Sequence, residues 1–154
     1  MKNVHKSLFL VGFAGLASIA VGAVTETASA RTTPAMAGRP WLASEATCFS
    51  DFYGQISNST CPGYKQWQVP AVVDHVYWTN FTVGGIATQF SSDVKCRAIG
   101  VGQNGAFWDL NPDVSLTSVN VPQTITVSSY HTAYGAPYLV CNLQNGGRIT
   151  TVTY

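Results

Sequence analysis

Charge is sparse in this sequence. Eight Lys and Arg stand against seven Asp and Glu, together 10% of 154 residues, with no basic stripe or acidic block after residue 30. So neutral a surface gives no electrostatic steering toward nucleic acid, anionic lipid or an acidic substrate. Nucleic acid is therefore not an expected partner. Histidine is scarcer still: only His75 and His131 lie beyond the N-terminal segment, and histidine alone titrates near neutrality without a shifted pKa. Asp74 precedes His75, but strand neighbours face opposite sides, so it cannot orient that ring as a catalytic triad requires. The G-x-S-x-G, H-E-x-x-H and phosphate-cradling glycine patterns are missing. Glu45, Asp51, Asp74, Asp93, Asp109 and Asp113 are scattered, and their spacing nominates no acid–base pair. Asp93 after Ser91-Ser92 and Asp113 after Pro112 read as caps or turn-formers. Asp109, Asn111 and Asp113 alternate oxygen ligands, but two acids and a proline make a plain turn a better reading than a calcium loop. No catalytic residue, metal or cofactor is expected.

Long apolar runs are also missing, with one exception. Residues 8–24 carry no charge, follow the basic head Met1-Lys2-Asn3-Val4-His5-Lys6, and lead to Ala28-Ser29-Ala30. That is the pattern of a signal peptide over residues 1–30, cleaved after Ala30; Ala35-Met36-Ala37 offers a second site. Gly12, Gly15, Ser18 and Gly22 dilute the run, which argues against a retained anchor. The expected location is secreted or extracellular (or periplasmic), without membrane attachment after cleavage. Removing residues 1–30 leaves 124 residues with six basic and six acidic side chains, enough for one domain.

Helical periodicity is the third absence: no segment repeats apolar residues at i, i+3, i+4 and i+7 over three turns. Residues 31–40 (RTTPAMAGRP) read as a flexible leader before a single domain over residues 41–154. Residues 41–47 suit either one helical turn or an extended lead-in. From there on, short alternating runs predict strands. They cover residues 65–69, with Trp67 and Val69 on one face, and 75–83, with Tyr77, Thr79, Phe81 and Val83 on one face. Gly84-Gly85 reads as a turn, with a short run at 86–90. Residues 94–101 place Cys96 and Ala98 opposite Lys95, Arg97, Ile99 and Val101. Asn104-Gly105 predicts a type I′ hairpin turn returning residues 106–110. Residues 123–128 point Ile125 and Val127 inward. Residues 138–143 point Leu139, Cys141 and Leu143 inward, and Asn145-Gly146-Gly147 turns the chain into 148–154. Short strands at this spacing predict an all-β fold, an antiparallel β-sandwich of immunoglobulin-like or jelly-roll type.

Export makes Cys48, Cys61, Cys96 and Cys141 disulfide partners before metal ligands. Four cysteines permit three pairings. Cys48 and Cys61 bracket a Gly-, Ser- and Asn-rich loop, and Cys96 and Cys141 sit centrally in strands, which favours Cys48–Cys61 with Cys96–Cys141. A zinc site would lack any C-x2–4-C pair.

The functional signal is aromatic. Tyr77-Trp78 and Phe107-Trp108 are adjacent pairs on predicted strands, so one member of each faces away from the core. Outward rings beside Asn and Thr suit stacking on a sugar, though large aromatics are more often buried beneath loops or at the ends of a core. Tyr77, Trp78, Phe107 and Trp108 are thus the candidate ligand-binding residues. Three readings follow. The first is a non-enzymatic module for carbohydrate or envelope polymer. The second is a structural, adhesive or inhibitory protein whose partner is another extracellular protein, met through the loop 49–60. The third is a small extracellular hydrolase, which needs a histidine and a carboxylate to converge.

One combination of segments has a wider likeness. The leader ending Ala28-Ser29-Ala30, Cys48 and Cys61, Trp67-Gln68-Val69-Pro70, Lys95-Cys96-Arg97-Ala98-Ile99-Gly100-Val101, and Tyr138-Leu139-Val140-Cys141 before Gly146-Gly147 form it. Together they resemble small secreted bacterial β-domain proteins with two disulfides. The resemblance implies an extracellular β-fold with two bridges and a bacterial origin. It implies no activity, ligand or site residue.

Overall fold

A computed structural model describes residues 30–73, 77–102, 104–108, 111–131 and 136–154, with the backbone alone at Tyr77, Trp108 and His131. The signal-peptide reading of residues 1–30 falls almost wholly outside the described residues. Among those described, twelve strands form. They are β1 (Thr32–Pro34), β2 (Arg39–Pro40), β3 (Phe49–Phe52), β4 (Gln55–Asn58), β5 (Lys65–Pro70) and β6 (Tyr77–Ile86). Then follow β7 (Val94–Val101), β8 (Phe107–Trp108), β9 (Val114–Ser115), β10 (Gln123–His131), β11 (Ala136–Leu143) and β12 (Arg148–Thr153). No helix among the described residues is long and apolar enough to cross a membrane.

The strands make two antiparallel sheets stacked as a β-sandwich. The first runs β10-β6-β12-β4-β3, with β1 also on β12; the second runs β2-β5-β11-β7-β8, with β9 also on β7. Alternation explains the stacking, because each strand turns every second side chain inward. Phe81, Val83, Ile125, Val127, Ile56, Ile149 and Val152 of the first sheet meet Trp67, Val69, Leu139, Leu143, Val94 and Ala98 of the second, all buried. Trp67 satisfies its one polar atom inside this core, donating from Nε1 to the Ala35 carbonyl at 2.8 Å. Ile149 and Val152 are three residues apart yet both fully buried. Strict alternation forbids that, and a register shift between Ile149 and Thr151 supplies the extra residue.

Both expected disulfides are present. Cys48–Cys61 closes the base of the β3–β4 hairpin. Cys96–Cys141 joins directly opposed residues of β7 and β11, so it lies within the second sheet and fastens two strands 45 residues apart in sequence.

Four expectations give way. Residues 31–40 are not a flexible leader. β1 pairs with β12 and β2 with β5, and Ala35 is buried between them; both prolines sit on edge strands, where the missing N–H costs no ladder bond. Gly84-Gly85 is not a turn but the interior of β6. A Cβ on Gly84 would stand 2.6 Å and 2.7 Å from the Thr150 and Thr151 hydroxyls at the β12 bulge, so glycine is required there for close approach. The loop 49–60 is largely a hairpin, whose two-residue turn Tyr53-Gly54 has both φ angles positive (50° and 83°), as type I′ demands. The Asn104-Gly105 turn forms where expected but is not type I′. Only Gly105 has positive φ, and Asn104 instead accepts from the Ala106 amide through its side chain at 3.0 Å.

Candidate functional site

Residues directly opposite in an antiparallel ladder share a face. The outer face of the second sheet is therefore read row by row across its strands. One row is Arg39–Gln68–Val140–Arg97, crossing β2, β5, β11 and β7. The next row toward one end is Pro70–Tyr138–Ile99, and toward the other Gln66–Asn142–Lys95. The sequence alternation had set Lys95, Arg97, Ile99 and Val101 on one side. That side faces away from the other sheet, yet Ile99 and Val140 on it are buried.

Two aromatic side chains wall this surface. At one edge, Trp41 extends the β2 pairing by donating its backbone N–H to the Gln66 carbonyl at 2.8 Å. The chain then turns away into the 3-10 helix Ala43–Cys48, which Cys48–Cys61 ties down. At the other edge, the 102–106 turn, closed by Gly102 N–H to the Ala106 carbonyl at 2.8 Å, folds β8 back so that Phe107 opposes Val101. Trp41 is 40% and Phe107 65% exposed. Between them lies a groove made of two overlapping hollows of about 220 Å³ each, both bounded by Trp41, Ile99 and Phe107. Its floor is Val101, Tyr138 and Val140, and its polar lining is Gln66, Gln68, Arg39 and Arg97. Stacking rings set over an amide-bearing floor equip a surface to hold a ring with an apolar face and polar edges.

The charges on this face are ordered. Arg97 Nε lies 3.7 Å from Asp113 Oδ1, and Asn142 Nδ2 donates to Asp113 Oδ2 at 3.2 Å. Asp113 thus positions an arginine at the groove; Asp109, the first residue of the weighed calcium loop, lies outside the described residues. Lys95 rests its ammonium 4.9 Å from the Tyr64 ring centre, a cation–π contact. Tyr64 is itself held by its hydroxyl donating to the Ser92 carbonyl at 3.1 Å.

The four residues nominated from sequence do not share one surface. Phe107 is a wall of the groove. Trp78 is 55% exposed on the outer face of the first sheet, edge-on to Tyr130 at 5.7 Å. Tyr77 and Trp108 hold register positions opposite His131 and Gly100, but their side chains lie outside the description. So do Asp74, His75 and the side chain of His131, the residues a hydrolase reading needs. Among the described residues no three His, Cys, Asp or Glu side chains gather as a metal site.

Sequence reasoning missed Trp41 and Arg39, because Arg39 lies within the segment read as a leader and Trp41 directly follows it. The available signal was the outward pair Ile99 and Val101 on a strand whose other face carries Cys96. A second exposed aromatic feature stands apart from the groove. Phe52 (68% exposed) and Tyr53 (90% exposed) pack edge to face at 4.3 Å on the tip of the β3–β4 hairpin.

No protein-family model matches the chain, and no curated protein matches it. Among solved structures it is similar to the C-terminal CBM6 of LamC, a marine laminarinase from Zobellia galactanivorans. The identity is 9% and the TM-score 0.43, over 81% of this chain and 98% of that one.

Proposed function

We propose that this is a secreted, non-enzymatic β-sandwich protein that holds a carbohydrate or envelope-polymer chain in the groove between Trp41 and Phe107. One observation carries the reading: two exposed aromatic rings stand at opposite edges of one sheet face, over a floor that mixes apolar side chains with Gln66 and Gln68. The rings keep 40% and 65% of their surface exposed while Ile99, Gln68 and Val140 beneath them are buried, so both rings have area left to offer a ligand. Of the sequence candidates, Phe107 belongs to this groove, and Trp78 with Tyr130 forms a separate platform on the other face. Tyr77 and Trp108 stay candidates by register position.

The test is a tryptophan-fluorescence titration of the oxidised protein with a panel of soluble polysaccharides. A saturable change that Trp41→Ala and Phe107→Ala each weaken about thirtyfold or more supports the reading, the size expected of a buried aromatic anchor. A flat response across the panel counts against it.

The Phe52-Tyr53 tip favours a second reading, a protein partner. Phe52 and Tyr53 are 68% and 90% exposed, paired edge to face at the end of a disulfide-tied hairpin.

A further inference from the structure

Away from the groove, a hollow of about 290 Å³ lies where the β3 edge of the first sheet passes the β2 edge of the second. Met36, Pro40, Phe49, Ile56 and Trp67 line it with apolar surface, and one charged residue, Asp51, joins them. Register puts Asp51 there. It stands opposite Ile56 in the β3–β4 hairpin, so its side chain shares the core-facing side with that buried isoleucine. β3 is the last strand of its sheet, however, and Asp51 remains exposed. Among the described residues no hydrogen bond or ion pair engages its carboxylate.

The lining narrows the kind of ligand. Phe49 and Trp67 meet at 4.9 Å with their planes at 58°, two aromatic rings on one hollow. The indole N–H of Trp67 is taken by the Ala35 carbonyl at 2.8 Å, so this ring offers a ligand no donor. A carboxylate beside apolar and aromatic surface is complementary to a cation carried on an apolar stem. An apolar ligand would desolvate the carboxylate without pairing it, and an anion would be repelled. Lysine, a compact ammonium on a flexible four-carbon stem, has the matching form.

The hairpin itself says that the stem belongs to a protein. Phe52 and Tyr53 directly follow Asp51, stay 68% and 90% exposed, and sit at the end of a hairpin whose base Cys48–Cys61 closes. Aromatic side chains held in this way are the residues that protein interfaces enrich.

We propose that a protein partner inserts a lysine side chain into this hollow, its methylenes against Met36 and Phe49 and its ammonium on Asp51, while Phe52 and Tyr53 pack on the surface around it. This rests on the protein-partner reading of the hairpin tip and names the partner's chemistry; it is independent of the carbohydrate groove.

The experiment maps backbone-amide shifts of the oxidised protein with three probes. They are the peptide acetyl-Ala-Leu-Lys-Leu-Ala-amide, the same peptide with norleucine in place of lysine, and n-butylammonium. The lysine peptide should shift the Phe49, Asp51 and Ile56 amides. It should bind at least about tenfold more tightly than the norleucine peptide, and the advantage should shrink as salt rises. Asp51→Asn should erase that advantage. Glu45→Gln, which removes a carboxylate already engaged by Lys65 at 3.3 Å, should leave it in place. Phe52→Ala/Tyr53→Ala should weaken the lysine peptide about tenfold and n-butylammonium less than about twofold. Circular dichroism confirms the fold of each variant. Equal affinity for both peptides, weakened by Phe52→Ala/Tyr53→Ala, would overturn the lysine while leaving the tip a protein-binding surface. n-Butylammonium bound as tightly as the lysine peptide, both indifferent to Phe52→Ala/Tyr53→Ala, would overturn the protein partner and leave a small-cation site. Binding of none of the probes would overturn both; self-association of Asp51→Asn would then mark the carboxylate as a guard against pairing at the β3 edge.

Discussion

The two outer faces of this sandwich are built from the same kind of strand and have opposite characters. On the first sheet, Thr126, Thr82, Thr153 and Thr32 form one row across four strands. These hydroxyls and their neighbours turn to one another: Thr32 meets Thr153 at 3.0 Å, Ser128 donates to Asn80 at 2.6 Å, and Ser50 meets Ser57 at 3.1 Å. Cross-strand polar pairs of this kind stabilise a sheet while leaving it wet. The equivalent surface of the second sheet carries Trp41, Ile99, Val101, Phe107, Tyr138 and Val140, with guanidinium groups at both ends of one row. Apart from Trp78 and Tyr130, the described part of the first face is polar, whereas the second is largely apolar and walled by aromatic rings.

Breaking the frame beneath each face gives the largest effects. Cys96–Cys141 lies directly under the groove and closes a 45-residue separation, whereas Cys48–Cys61 closes 13 beside the hairpin. Loop-closure entropy assigns about 4 kcal/mol to the first and about 3 kcal/mol to the second. Urea unfolding of Cys96→Ala/Cys141→Ala and Cys48→Ala/Cys61→Ala should show that order, and the first should also weaken ligand binding through the groove floor.

Next comes the joint between the sheets. Residues 88–93 carry the chain from the first sheet to the second, and the buried Asp93 fastens them. Its Oδ2 accepts from the Thr88, Gln89 and Phe90 amides at 3.2, 2.7 and 3.0 Å. Its backbone carbonyl accepts from Gln144 N–H at 2.8 Å. Asp93→Ala leaves three amide donors without that acceptor and should cost about 3 kcal/mol in urea unfolding, with no change in ligand specificity in the folded fraction.

The aromatic residues then set the faces against each other. Trp41→Ala should cost about 2 kcal/mol of binding, while Trp78→Ala on the opposite face costs less than about 0.5 kcal/mol; parallel titrations measure both. The smallest effect should come from Thr126→Val, which removes one exposed hydroxyl. Its unfolding free energy should stay within about 0.5 kcal/mol of the parent and its binding should be unaltered.

Much of the frame was legible in the chain. The inward rows read for 65–69, 94–101, 123–128 and 138–143 are buried, although Gln68, Ile99 and Val140 on the opposite face are buried as well. The disulfide pairing followed from where the cysteines fall in those runs. What escaped was local chemistry that does not advertise itself. A Tyr-Gly turn carries less signal than Asn-Gly, although it is Tyr53-Gly54 that adopts type I′ geometry. Gly84-Gly85 resembles a turn, because a single sequence does not reveal a bulge on a strand 65 residues away. Proline-rich residues 31–40 resemble a linker, because edge pairing leaves no alternation in two- and three-residue strands. The groove was half legible. Phe107 is a sequence candidate, and Ile99 and Val101 share the strand face opposite Cys96. Their convergence with Trp41, Tyr138 and Val140 depends on the strand order β2-β5-β11-β7-β8, which alternation within each strand does not encode.

The most direct test of the central claim is backbone-amide shift mapping of the oxidised protein, titrated with a panel of soluble oligosaccharides. The account predicts shifts concentrated at Gln66, Gln68, Arg97, Ile99 and Tyr138, with Thr82, Thr126 and Thr153 unmoved. Shifts centred on Trp78 and Tyr130, or on the Phe52-Tyr53 tip, would contradict it.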